Sequence, residues 1–370
     1  MPTAVALEPR LLLGPGPSPV HERILEALAR PTVGHLDPQF LALMDEVNEG
    51  LRSAFGTKNR ITFPISGTGS AAMEAAMANV IEPGDKVIVG VNGVFGGRLV
   101  EMGKRMGAQV VAVEAEWGRI VPPERLLDAL AAHPDARVLA VVHAETSTGA
   151  RQPLEEIGAG VAGTDTLLIV DAVTSLGGLP VEVDRLGIDV CYAGTQKCLG
   201  VPPGLGPITF SARALERIAV RRAPCQSWYL DVSLISAYLG EERRYHHTAP
   251  INMVYALHEG LAMLAEEGLE ARWRRHAEVG AALQKELVGR GFELFAEEGH
   301  RLPQLTAARL PGGREEAPLR AALLDLYGIE VGGGLGPAKG KIWRVGLMGS
   351  GATMESVERL LAAIDELLPA

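Results

Sequence analysis

Leu167-Leu168-Ile169-Val170-Asp171-Ala172-Val173 is an unbroken apolar run that ends in a carboxylate. A run without polar alternation suits a strand covered on both faces, which points to a parallel sheet between helical layers. Four further runs have the same character: Val87 to Val91, Val110 to Val113, Val138 to Val142 and Ile188 to Tyr192. Helical stretches such as Pro122 to His133 separate them. This interleaving predicts an α/β fold with a mainly parallel central sheet flanked by helices, over residues 15–267.

Beyond that layer the pattern changes. Leu269 to Leu287, Glu315 to Leu326 and Met354 to Leu368 have the spacing of amphipathic helices, with strands expected near Gln304 to Leu310 and Ile342 to Gly346. A smaller C-terminal α+β domain is therefore expected over residues 268–370. Residues 1–14 run into Gly14-Pro15-Gly16-Pro17, where each proline fixes its own φ and restricts its predecessor. They are expected to form a stiff N-terminal arm, laid on a partner subunit.

The chain has 370 residues and a formal net charge of -10, with a pI near 5.5. That balance argues against nucleic acid and membrane surfaces as partners. Cys191, Cys198 and Cys225 show no even pairing and no CxxC spacing, so reduced thiols in the cytoplasm are expected. No apolar run approaches the ~18 residues that span a bilayer.

In open parallel sheets ligands bind beyond the carboxyl ends of the strands, so polar residues just after apolar runs are the candidates. Asp171 is one: a buried carboxylate needs a cationic partner, although a turn cap or a Mg²⁺ ligand would also explain it. A second is Ser66-Gly67-Thr68-Gly69-Ser70 before a small-residue helix, where free N–H groups and the helix dipole suit a phosphate. Thr68 or Ser70 would cap that helix. Gly67, Gly69 and Ala72 also satisfy a dinucleotide fingerprint, so an NAD-binding oxidoreductase is an alternative. The acidic residue needed about 20 positions on is missing, because Val87 to Val91 runs into Asn92 and Gly93. The third is Lys197 in Gly194-Thr195-Gln196-Lys197-Cys198-Leu199-Gly200, whose small and apolar neighbours desolvate the amine and lower its pKa. No histidine pair has metal-site spacing, and no metal is expected.

The order of phosphate-type loop, strand-end Asp171 and strand-end Lys197 resembles the class V, fold-type I pyridoxal phosphate (PLP) aminotransferases, in the alanine:glyoxylate and serine:pyruvate branch. The likeness extends over Leu12 to Ser18, Glu82-Pro83-Gly84-Asp85, Glu145-Thr146-Ser147-Thr148-Gly149, Tyr245-His246-His247-Thr248 and Trp343-Arg344-Val345-Gly346-Leu347. It implies transamination of alanine or serine with glyoxylate or pyruvate. A relative using aminoethylphosphonate or ureidoglycine is the alternative. It implies that Lys197 carries the cofactor as a Schiff base and that Asp171 pairs with the pyridine nitrogen. Thr68, Gly69 and Gln196 of one chain, with Tyr245 and Thr248 of a second, would hold the phosphate in a homodimer with shared sites, and Ser70 would be a further cofactor contact. Ser70 stands where relatives carry histidine. Phe95 takes the place of an aromatic ring, often tryptophan, stacked on the cofactor, while Thr146 and Val173 lie beside it. Arg344 would grip the substrate carboxylate, with backbone near Gly16 and His35 closing the pocket. Cysteine desulfurase is disfavoured, since all three cysteines precede residue 226.

Overall fold

The computed structural model describes residues 7–239 and 242–369, so residues 1–6 of the expected arm lie outside it. Seven strands form the main sheet, in the spatial order Ile61–Ser66, Leu205–Phe210, Val190–Tyr192, Leu167–Asp171, Ala136–Val142, Lys86–Val91 and Gln109–Glu114. Leu205–Phe210 is antiparallel to both of its neighbours, and every other pairing is parallel. The class expected from uninterrupted apolar runs is the one found, because such strands need helices on both faces. In register, Val142 lies opposite Asp171, and Asp171 opposite Tyr192. The carboxyl ends of three strands are thus level.

Two details differ from the expectation. The run Val110 to Val113 belongs to the outermost strand, where Gln109, Ala112 and Glu114 are exposed, because an edge strand lacks a neighbour on one side. Ile61–Ser66 and Leu205–Phe210 are strands despite Pro64 and Pro207, which sit opposite each other in register. Proline lacks the ladder's N–H and ordinarily argues against a strand.

The helices Leu269–Gly289, Glu316–Tyr327 and Met354–Leu367 lie within two residues of their expected ends. They accompany an antiparallel sheet ordered Glu293–Leu294, Leu305–Arg309, Trp343–Gly346 and Gly332–Gly333. Leu11–Leu12 pairs in parallel with Ile329–Glu330, and the fully buried Leu13 shares an apolar cluster with Leu283 and Trp343. The last residues of the expected arm therefore pack on the chain's own C-terminal layer. Among the described residues no helix is long and apolar enough to cross a membrane.

Candidate active site

A cavity of about 210 Å³ opens at the level carboxyl ends of the main sheet. Thr68, Gly69, Ser70, Phe95, Thr146, Asp171, Val173, Gln196 and Lys197 are among the residues that line it. Nine residues singled out in the sequence thus meet in one place, from five separate segments.

The loop Gly67-Thr68 leads into the helix Gly69–Val80, for which Thr68 is the N-cap residue. Its side chain makes no capping bond, contrary to the expectation for Thr68 or Ser70; the Ser70 hydroxyl instead accepts from Arg98 Nη1 at 3.2 Å. Among the described residues, the N–H groups of Gly69 and Ser70 meet no acceptor. The Gln196 amide oxygen is buried and likewise unpartnered. A helix start with free donors is a place for an anion, and the Gln196 amide adds to it only through its NH2 end, since its oxygen is an acceptor.

Asp171 is 3% exposed. Its Oδ1 accepts from the Val173 N–H at 2.9 Å, and its Oδ2 from the Tyr192 hydroxyl at 2.9 Å. Burial pushes its pKa up to about 7 against the pull of these donors. Tyr192 is there because the parallel register sets it beside Asp171 on the same face of the sheet.

Lys197 follows the strand Val190–Tyr192 by five residues, and its Nζ donates to the carbonyl of Pro15. Burial lowers its pKa to about 8, and the charge of Arg344 acts in the same direction. Gly16, at φ 112°, lies directly over this amine, and a Cβ there would overlap Lys197 Nζ. Only glycine suits the position, on grounds of both conformation and space.

Arg344 sits on the strand Trp343–Gly346, just outside the cavity lining. Its Nε donates to Gly333 O at 2.7 Å and its Nη1 to Thr146 O at 3.3 Å. Burial lowers its pKa to about 10, and Glu145 opposes that shift. Of its five N–H groups two are thereby used, and both terminal nitrogens keep a donor.

Phe95 lies in the first turn of the helix Val94–Arg105, with the Arg98 guanidinium 4.9 Å from its ring centroid. Tyr245 is 57% exposed and Thr248 is exposed; neither reaches this chain's cavity. His35 packs 5.0 Å from the Tyr245 ring and is also remote from the cavity. Among the described residues no group of three or more His, Cys, Asp or Glu side chains is placed to hold a metal ion.

Sequence reasoning missed Tyr192, Arg98 and Glu145. Tyr192 ends a run expected as a strand, but its bond to Asp171 depends on how that strand registers with its neighbour. Glu145 carries no local signal because its partners lie far off in sequence, and Arg98 meets the site through Ser70, 28 residues away, as well as through Phe95 on its own helix.

The profile of the class V aminotransferases matches residues 19–360. Alanine–glyoxylate aminotransferase of Felis catus is 41% identical over 363 residues, covering 97% of this chain and 87% of that protein. (S)-Ureidoglycine–glyoxylate transaminase of Bacillus subtilis (strain 168) is 40% identical over 377 residues, covering 97% and 90%. The crystal structure of alanine–glyoxylate aminotransferase from Nostoc sp. superposes with a TM-score of 0.97 at 48% identity, covering 100% of this chain and 97% of that one. The fold is that of the fold-type I PLP-dependent transferases. Within that class, the chain belongs to the class V aminotransferases, enzymes that work with pyridoxal phosphate.

Proposed function

We propose that this aminotransferase moves the amino group of a small amino acid, alanine or serine, to glyoxylate or pyruvate. The observation that carries the reading is the meeting of three groups: a neutralisable buried amine at Lys197, a buried carboxylate at Asp171 and a fixed guanidinium at Arg344.

The residues present fit PLP. The free N–H groups of Gly69 and Ser70, the Thr68 hydroxyl and the NH2 end of the Gln196 amide would hold its phosphate, with Phe95 against the ring and Thr146 and Val173 beside it. When bound, PLP supplies an aldehyde that an amine can hold covalently and a ring that withdraws electrons from a substrate α-carbon. Asp171 would keep the ring nitrogen protonated. Lys197 would anchor the aldehyde, and once displaced by the donor its amine would carry a proton to and from the α-carbon. Arg344, already held by Gly333 O and Thr146 O, keeps a donor on each terminal nitrogen for a two-bond grip on a carboxylate.

Tyr245 and Thr248 would complete the phosphate site of a second chain, making the enzyme a homodimer with shared sites. Their exposure away from this chain's cavity supports that placement. A large domain over 15–267 and a small one over 268–370 accord with the two largest apolar clusters, the second of which includes Leu13, while a smaller cluster of Ala144, Leu179, Cys198, Leu302, Leu305 and Met348 joins the two. The free cysteines suit a reducing compartment such as the cytoplasm.

The test is the visible spectrum of the PLP-loaded protein. Its cofactor absorption should bleach with L-alanine or L-serine and return with glyoxylate, and Lys197→Ala should abolish turnover. The resemblance to the Bacillus subtilis transaminase favours ureidoglycine as a second reading, so the donor panel includes (S)-ureidoglycine. A preference for that donor over alanine and serine would replace the first reading.

A further inference from the structure

The helix Val94–Arg105 begins after Gly93, which has no side chain with which to cap it. Its first N–H groups are instead met from across the fold. Glu145 Oε2 accepts from Phe95 N at 3.0 Å and from Gly96 N at 3.3 Å. The Ser147 hydroxyl accepts from Val94 N at 3.0 Å and donates to Glu145 Oε1 at 2.6 Å, while Ser147 N donates to the same oxygen at 3.1 Å. A Cβ on Gly93 would overlap both the Glu145 side chain and Ser147 Oγ, so the glycine makes room for this cap.

Glu145 is fully buried, yet it takes no part in the chemistry assigned above. Desolvation raises its pKa, and the donors that surround it favour its charged form. Its position in the chain is informative. The helix turn it holds carries Phe95, and the next residue along its own backbone is Thr146, whose carbonyl anchors Arg344. One carboxylate therefore joins the ring that would face the cofactor to the guanidinium that would face the substrate.

We propose that Glu145 is the positioning residue of the active site, setting the Phe95 ring and the Thr146–Arg344 anchor at a fixed separation through its bonds to the Val94–Arg105 helix. The inference rests on the proposed contacts of Phe95 with PLP and of Arg344 with the donor carboxylate. A carboxylate that served only fold stability would couple to neither.

The experiment titrates cofactor-free protein with PLP, following absorbance, for Phe95→Leu, Glu145→Gln and the double variant, alongside steady-state kinetics and thermal unfolding. Phe95→Leu is expected to weaken PLP binding. Glu145→Gln leaves size and one acceptor but turns a donor toward the helix N–H groups; it should weaken PLP roughly tenfold and raise KM for the donor more than it lowers kcat. The double variant should be little worse than Glu145→Gln alone, because the ring it removes is already displaced. Unchanged PLP affinity in Glu145→Gln beside a weakened Phe95→Leu, or losses that add in full, would overturn the inference alone. Unchanged affinity in Phe95→Leu would instead remove the Phe95 assignment on which it stands. If Glu145→Gln does not fold, Ser147→Ala trims the same cap and should show the same non-additivity at smaller amplitude; full additivity there overturns the inference.

Discussion

At the scale of the residue, the decisive quantity is the protonation of Lys197. An ordinary lysine at neutral pH is almost wholly ammonium and a poor nucleophile. Burial lowers this one from 10.5 to about 8, so its neutral fraction grows as pH rises toward 8. Capture of PLP by the cofactor-free protein should therefore accelerate about tenfold per pH unit below 8 and level off above it. Stopped-flow absorbance across pH 6 to 10 would read this, and a rate still climbing at 10 would contradict it. Arg344→Ala should weaken the apparent affinity for every donor acid by about 3 kcal/mol, on the order of a hundredfold in KM, through loss of two charge-assisted hydrogen bonds. A donor KM left unchanged would remove Arg344 from the carboxylate site. Asp171 and Lys197 were both legible in the sequence, because a polar residue that ends an apolar strand stands out against its neighbours. Tyr192 was not, since its bond to Asp171 depends on strand register.

At the scale of the element, stability and activity separate. The helix Pro38–Phe55 starts on Asp37, whose Oδ1 accepts from Gln39 N at 2.8 Å, with Pro38 at the first helical position. Asp37→Ala should destabilise the fold by about 1 kcal/mol while PLP affinity and turnover stay as they were. Urea unfolding and a PLP titration on the same variant would check both halves. The helix Val94–Arg105 behaves differently because its cap is borrowed from Glu145 and Ser147 and its first turn carries Phe95. Its start has no local signal, since Gly93-Val94-Phe95-Gly96-Gly97 is poor in helix formers and its cap lies outside the segment. The strands Ile61–Ser66 and Leu205–Phe210 were obscured for a related reason: their prolines oppose local strand propensity, and only pairing within the sheet overrides it.

At the scale of the whole molecule, the proposed sharing of sites makes a prediction that no single chain can satisfy. Lys197→Ala and Tyr245→Ala chains should each be impaired alone. Mixed and reassembled, half of the dimers would be heterodimers with one intact site of two, restoring about a quarter of full activity. No recovery on mixing, with heterodimers demonstrated, would place Tyr245 outside the partner's site.

The sequence alone determined the α/β class, the order of phosphate loop, Asp171 and Lys197, and the strand that carries Arg344. Each of these is written in the character of a short segment: an apolar run, a glycine turn, a polar residue at its end. Tertiary structure decided what those segments meet. Pro15 O receives the Lys197 amine across 182 residues, and Thr146 O holds Arg344 across 198. It also decided that Glu145 closes a helix of which it is no part. Such contacts depend on how layers stack and strands register, and no local pattern encodes the distance between two segments that touch only after folding.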